Sequence, residues 1–176
     1  MESTEKLNKS IERVLAFLNS RAVGFEKGID QLRNAEEASR FLAPAFGQQA
    51  VISSRALGEL RRLRQALLDL VATGWREGAA ADALNEIASR SLYTIAFRGD
   101  QEIALQPVHE GAALSVLIRD VAGLIEAGQW NRVKHCSDGA CSATFFDRSR
   151  NRTQRWHSFE ICGNKNNVAA HRARHA

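Results

Sequence analysis

The feature that most constrains this chain is a group of sulfur- and nitrogen-bearing side chains spaced Cys136-x4-Cys141-x15-His157-x4-Cys162. Two close-spaced pairs can each bend around one ion, and the longer gap lets the chain return, as a tetrahedral structural zinc site needs. The Asp-Gly step at 138–139 favours the tight turn of a zinc knuckle. The alternative, three reduced cysteines with no shared role, leaves their clustering beside a histidine unexplained. We therefore expect these four residues to bind one structural Zn²⁺.

The charge of the chain divides at nearly the same place. Residues 131–176 contain nine Lys or Arg against three Asp or Glu, a net of +6, whereas residues 1–130 contain fifteen against seventeen, a net of −2. Such asymmetry suggests a basic module for a polyanion attached to a near-neutral domain. We therefore predict two domains, called here the body (residues 1–130) and the finger (residues 131–176).

Composition excludes several classes of protein. Hydrophobic residues make up 44% of the 176 residues and charged residues 25%, which excludes a disordered tail, a fibrous repeat and a disulfide-dense miniprotein. No apolar run approaches the roughly 18 residues that span a bilayer, and the polar, acidic start of the chain is unlike a secretory signal. We expect a cytoplasmic protein with no membrane partner.

The pattern of the body predicts helices with a small β element. Apolar residues recur at helical spacing over about residues 5–20, 34–43, 54–73, 80–91 and 111–127, with Asn34 as a helix cap and Pro44 ending or kinking the second helix. Between Tyr93 and Val108 the period changes to two around Gly99-Asp100, which predicts a β-hairpin. An isolated hairpin is marginal in water, so we expect it to pack against the helices.

The body contains no legible catalytic motif. His109 is its only histidine, and we interpret it as a solvated residue after the hairpin. The arginines at 61, 62 and 64 fit a solvated helix face better than a nucleic-acid site. We therefore predict no catalytic residues and no enzyme activity.

The finger pattern predicts a knuckle, a hairpin and a helix. Thr144-Phe145-Phe146 and Arg155-Trp156 have strand composition and flank an arginine-rich turn, and residues 164–173 can form a helix. We interpret the three aromatic residues of these segments as a small core rather than as base-stacking side chains. A module of about forty residues buries little core, so the metal would supply much of its folding energy. The predicted fold class is α+β, a mostly helical body with a small hairpin followed by a treble-clef-like finger.

The finger resembles the CGNR zinc-finger family. The similarity lies in the Cys136-x4-Cys141 knuckle, the Phe-Phe-Asp-Arg-Ser-Arg-Asn-Arg run at 145–152, Arg155-Trp156 and the Cys-Gly-Asn-Lys run at 162–165. In that family the finger usually follows an ABATE domain, and the body is similar in its early helix, its arginine-leucine helix at 55–71 and its position. The resemblance implies a bacterial transcription regulator with a DNA-binding finger and a body that acts as a sensor.

Two positions depart from the family pattern. The family normally has cysteine where His157 stands, so the ligand set here would be Cys₃His, which is an ordinary set for zinc. His157 would otherwise be merely exposed, with His135 as a backup ligand at poorer spacing. The other departure is Lys165 in place of arginine, which keeps the charge but loses the planar two-pronged donor.

These observations favour a zinc-dependent DNA-binding transcription regulator, with double-stranded DNA as the partner of the finger. The body would sense a small-molecule effector or form a homodimer. An RNA-binding zinc module and a protein-interaction adaptor with a purely structural finger remain alternatives. Phosphates would attract the basic residues of both the arginine-rich turn and the predicted C-terminal helix. The candidates for reading bases are Asn166, Asn167, His171 and Arg172. The predicted nucleic-acid contacts are Arg148, Arg150, Arg152, Arg155, Lys165, Asn167, Arg172 and Arg174.

Overall fold

The computed structural model describes residues 2–24, 28–46, 51–74, 78–97, 99, 103–108 and 112–175. Its helices are α1 (Glu2–Leu18), α2 (Ala35–Phe46), α3 (Ser54–Thr73), α4 (Gly78–Ala88), α5 (Ala112–Glu126) and α6 (Asn164–Arg174). Two antiparallel strand pairs are present, β1 (Tyr93–Phe97) with β2 (Ile103–Pro107), and β3 (Val133–His135) with β4 (Thr144–Phe146). A 3-10 turn (Trp130–Arg132) precedes β3, and a π-helical turn (Phe159–Gly163) leads into α6.

The predicted helices of the body form, and their caps explain where two of them begin. Asn34 Oδ1 accepts a hydrogen bond from the Glu37 N–H (2.9 Å), and the Ser53 hydroxyl accepts from Ala56 at the start of α3. Of the two outcomes predicted for Pro44, an end of α2 at this residue is wrong, because the helix continues to Phe46, and a kink stays a prediction. Phe46 is buried in the core, which stabilises the last turn despite the missing N–H of proline.

The core of the body lies between α1, α3 and α5. Phe17 and Leu18 of α1, Leu63 and Leu67 of α3 and Leu117 of α5 are all fully buried. These positions follow the helical period of the sequence, so each helix turns one apolar stripe inward. Burial of such a side chain contributes roughly 1.5–3 kcal/mol, and the stripes therefore fix how the three helices pack.

Partly buried ion pairs join segments that are distant in the sequence. Arg64 donates to both carboxylate oxygens of Asp30 (2.8 and 2.6 Å), and these hydrogen bonds lower the pKa of Asp30. Arg13 makes the same forked contact with Asp120, which is also bonded by Ser10. The solvated face that the sequence suggested is therefore correct for Arg61 and Arg62, which are exposed although they are bonded to the segment before α2 and to α4, and wrong for Arg64, which is buried.

The predicted hairpin is present as β1 and β2, with Ile95 opposite Leu105 and Phe97 opposite Ile103. It meets α5 at its base, where the Tyr93 hydroxyl donates to the Ser115 carbonyl oxygen. Gly99 is described but Asp100 is not, so the predicted turn lies largely outside the described residues, as does His109. Across the described part of the chain, every helix is too short or too polar to cross a bilayer.

The finger pairs its strands differently from the prediction. β4 pairs with β3, a three-residue strand that the sequence pattern did not reveal, and the two flank the knuckle. The second predicted strand, Arg155-Trp156, was wrong: these residues lie outside any regular element, and the Arg155 carbonyl oxygen accepts a single bond from the Ser137 N–H (2.9 Å). The helix predicted at 164–173 is confirmed as α6.

The body and the finger are joined by hydrogen bonds at the end of α1. Asn19 Nδ2 donates to the Thr144 carbonyl oxygen (2.7 Å), and the Thr144 N–H donates to Asn19 Oδ1 (2.8 Å). The Gly24 N–H donates to the Cys141 carbonyl oxygen (2.7 Å). The division at residue 130 stays a prediction, and these contacts show that the two parts are not merely tethered.

Replacing Asn19 by Ala should destabilise the protein, because the peptide groups of Thr144 would be left without their side-chain partner in a partly buried place. We expect a decrease of about 1–3 kcal/mol in the free energy of unfolding, measured by chemical denaturation of the zinc-loaded protein. Asn85→Ala is the matched control, since Asn85 is exposed on α4. Equal stability of the two variants would contradict the proposed contribution of this contact.

Candidate metal centre and basic surface

Four side chains from separate parts of the finger converge on one point. Cys136 follows β3, Cys141 ends the knuckle, His157 lies beyond the arginine-rich turn and Cys162 lies in the π-helical turn. Their ligand atoms all lie within 4.8 Å of one another. His157 presents Nδ1, which is 3.2 Å from Cys141 Sγ and 3.3 Å from Cys162 Sγ. The predicted ligand set is thus brought together as one cluster.

The donor set fits zinc in number, chemistry and burial. Ligand atoms at the usual Zn–S and Zn–N lengths of about 2.3 and 2.0 Å lie about 3.5 Å (N to S) and about 3.8 Å (S to S) apart around a tetrahedron, and the two distances from His157 are slightly shorter than the first of these values. All three cysteines are free and buried. Without a metal, burial raises the pKa of the Cys162 thiol to about 12 and raises that of Cys141 as well. A bound cation would instead stabilise the thiolates and supply folding energy.

Asp138 braces the knuckle against α6. Its Oδ1 accepts from the Ala140 N–H (3.0 Å), and its Oδ2 accepts from Asn166 Nδ2 (2.9 Å). Asn166 also donates to the Cys162 carbonyl oxygen (2.8 Å), and Lys165 Nζ lies 3.4 Å from Asp138. Burial opposes the ionisation of Asp138, but these partners together lower its pKa. The sequence marked Asn166 as a base reader, whereas here its side-chain amide links two segments that carry metal ligands.

Asp147 organises the arginine-rich turn. Its carboxylate is fully buried and accepts from Lys134 Nζ (2.6 Å), from the Ser149 N–H (2.9 Å) and from the Gln154 N–H (3.1 Å). Burial alone would raise the pKa of Asp147, but Lys134 and Ser149 outweigh it and the pKa lies well below its ordinary value. The carboxylate thereby joins both ends of the turn. Asp147 therefore orders the backbone of the turn rather than an arginine side chain.

Gly163 allows two aromatic rings to approach its backbone closely. A Cβ at this position would lie 2.7 Å from Phe159 Cδ2 and 3.0 Å from Trp156 Cδ1. Trp156 packs against the cluster formed by the three cysteines and Ala143, as the small-core interpretation predicts, whereas Phe146 packs against the core of the body. Glycine is therefore required here by close approach, since its φ is an ordinary −62°.

Comparison with protein families matches the two parts in the expected order. Residues 12–128 match the ABATE family model, described as "Putative stress-induced transcription regulator". The chain belongs to the ABATE family. Residues 132–175 match the CGNR zinc finger model, so this ABATE protein carries a finger with a single zinc site. No curated protein matches the chain.

The histidines of this ABATE protein divide into different roles. His135, the backup ligand, lies outside the metal cluster: its Nε2 is 3.3 Å from the Leu68 carbonyl oxygen and its Nδ1 is 3.3 Å from Thr144 Oγ1. Burial lowers the pKa of His135. It therefore belongs to the contact between body and finger, while His157 belongs to the metal cluster.

The eight side chains predicted to contact nucleic acid are all exposed. In the turn, the Arg148 guanidinium lies 5.7 Å from the centre of the Phe146 ring, and that of Arg155 lies 5.1 Å from the Trp156 ring. Lys165 is half-exposed beside Asp138. The complete set is Arg148, Arg150, Arg152, Arg155, Lys165, Asn167, Arg172 and Arg174.

Replacing His157 by Ala should weaken zinc binding by at least about 100-fold, because removing a group that only hydrogen-bonds to a metal ligand already costs 10- to 100-fold. Competition with a chromophoric chelator measures the affinity. His157→Cys should retain tight binding, since thiolate is an equally good zinc ligand. The control is His171→Ala, at an exposed position on α6. Unchanged affinity of His157→Ala would mean that another group completes the cage.

Replacing Gly163 by Ala should destabilise the finger by about 1 kcal/mol, because two rings must move to admit the Cβ. The change should appear in tryptophan fluorescence and in faster release of zinc to a chelator. Gly139→Ala is the matched control, since a Cβ at Gly139 meets nothing within 4 Å. The close-approach explanation fails if both variants release zinc at the wild-type rate.

Proposed function

We propose that this protein is a zinc-dependent transcription regulator whose finger binds double-stranded DNA. The observation that carries the proposal is a difference in how arginines are used. Six arginines of the body, at positions 13, 33, 40, 62, 64 and 90, form ion pairs with acidic side chains. Among the described residues, Arg148, Arg150, Arg152 and Arg155 form none. Exposed, uncompensated guanidinium groups are what a phosphate backbone attracts.

The arginine-rich turn is suited to phosphate contacts. Its backbone is held by the Asp147 carboxylate and by Arg132. The Nη1 of Arg132 donates to the carbonyl oxygens of Asp147 and Ser149 (2.9 and 3.0 Å). Arg152 has a positive φ of 55°, and its carbonyl oxygen accepts from Lys134. A turn fixed in this way gives up little conformational entropy when its arginines bind, so it orients the finger on the duplex without reading sequence.

Helix α6 supplies the candidates for sequence reading. It contains no acidic residue, and Asn167, Arg172 and Arg174 are exposed along it. Asparagine can pair with adenine and arginine with guanine in the major groove. Asn166 is already committed to Asp138 and Cys162, so we assign it no base contact. Lys165 lies beside Asp138 and fits a phosphate contact better than a two-pronged base contact.

The body would supply regulation, either by sensing a small-molecule effector or by forming a homodimer. The description of the ABATE family as a stress-induced regulator supports this division of roles, and neither matching family is described as an enzyme. Three free cysteines in a metal cluster require reducing conditions, which supports a location in the bacterial cytoplasm.

The test is binding of the zinc-loaded protein to duplex DNA of mixed sequence over a range of salt concentrations. Affinity should fall steeply with salt, and Arg148→Ala/Arg150→Ala/Arg152→Ala should reduce the salt slope by about 0.9 for each phosphate that the variant no longer neutralises. Arg40→Ala is the control, because Arg40 is equally exposed but lies on the body.

Two outcomes would contradict the proposal. Zinc-loaded protein that binds no duplex at low ionic strength would leave the finger with a structural role only. Tighter binding to single-stranded or structured RNA than to duplex DNA would instead identify an RNA-binding module, since the electrostatic attraction is shared by both polymers.

A further inference from the structure

The hairpin of the body exposes the face that a hairpin normally buries. Ile95, Phe97, Ile103 and Leu105 are 59%, 80%, 57% and 41% exposed. Their register, Ile95 opposite Leu105 and Phe97 opposite Ile103, places all four on the same side of the two strands. We call this surface the hairpin face. The other side carries small or polar residues, including Thr94 and Gln106.

The hairpin face is unlike ordinary exposed apolar surface because its residues are contiguous. Single exposed hydrophobic residues are normal in proteins, whereas a continuous patch marks an interaction site. Two-stranded sheets are marginal in water unless a face is packed, and in the described part of the chain no third strand pairs with β1 or β2. The exposed hairpin face therefore lacks the partner that its composition requires.

The body holds this hairpin at its base and at the middle of β2. Arg119 Nη1 donates to the Leu105 carbonyl oxygen (2.8 Å), and its guanidinium lies 6.0 Å from the centre of the Tyr93 ring. Tyr93 is itself bonded to α5. On this side of β1, exposure rises from half-buried Tyr93 through Ile95 to Phe97 at the far end. The hairpin thus has an anchored base and a solvent-facing apolar end.

We infer that the hairpin face is the interface with a second copy of this chain. The four side chains that define it carry no charge, so they would not select an acidic or basic partner. An apolar patch of matched cross-strand pairs is complementary to itself across a two-fold axis. The patch exposes on the order of 400 Å² of apolar side chain, about half of the roughly 800 Å² that each partner buries in a standard interface. The face therefore forms the apolar centre of the dimer, with surrounding residues as its rim.

This dimer makes the proposed function more specific, because it assigns homodimer formation to the body. Its biological meaning rests on the proposed function. Two fingers held by one dimer could bind two half-sites, and the duplex would then be bound through a symmetric pair of contacts. The pairing of the hairpin faces itself can be measured without DNA.

The experiment compares full-length zinc-loaded wild type, Phe97→Asp and Thr94→Asp by sedimentation equilibrium. Wild type should be a dimer, and Phe97→Asp should raise its dissociation constant by at least about tenfold, because a charge would be buried in the apolar interface. Thr94→Asp places the same charge on the opposite side of the same strand and should leave the constant unchanged. Circular dichroism and zinc content check that each variant is folded.

A second measurement needs no variant. Hydrogen exchange of the wild type at low and high protein concentration should show concentration-dependent protection in β1 and β2. A wild-type monomer, or a dimer that Phe97→Asp and Thr94→Asp affect equally, would overturn the inference. A monomer that still binds duplex DNA would contradict only the dimer, whereas a dimer that binds no duplex would contradict only the proposed DNA binding.

Discussion

The finger depends on one interaction, the shared coordination of a metal by Cys136, Cys141, His157 and Cys162. The buried cluster of the finger consists of the three cysteines and Ala143, with Trp156 packed against them. Its apolar core is therefore almost identical to its ligand set, and hydrophobic burial alone cannot fold a module of this size. Because the ligands come from the knuckle, from beyond the turn and from the π-helical turn, one ion fixes every segment that carries the basic surface.

Two buried carboxylates extend the order imposed by the metal to the surface. Asp138 joins the knuckle to α6 through Asn166, and Asp147 joins the two ends of the arginine-rich turn. The remaining acid of the finger, Glu160, accepts from the Ser158 hydroxyl. Asp138 and Asp147 are thus used inside the finger, and of its three acids Glu160 alone is exposed, so the surface that a polyanion meets is more uniformly basic than the net charge alone implies.

The contact between body and finger lies at the metal centre. Gly24 bonds to the carbonyl of the ligand residue Cys141, and Asn19 bonds to Thr144 in the neighbouring strand. The body also presents the hairpin face on β1 and β2. Tyr93 and Arg119 hold these two strands to α5. The same small body therefore has one surface committed to the finger and another with an apolar character that calls for a partner.

The helices, the body hairpin and the four metal ligands could all be predicted from the amino-acid sequence. Helical period reflects which side chains are buried, capping depends on Asn34 and Ser53 within three residues, and ligand spacing is a local geometric requirement. These features are encoded by residues that lie close together in the chain, and they therefore leave a pattern that can be read without coordinates.

Other features became visible only in three dimensions. Packing of the chain buries Arg64 on Asp30, leaves Arg155-Trp156 outside any strand and makes Asn166 a brace. It also places His135 against the body and leaves the hairpin face uncovered. The brace and the histidine depend on partners 28 and 67 positions away, and the hairpin face depends on what fails to cover it. No local pattern encodes either kind of relation, because each is set by how distant segments pack.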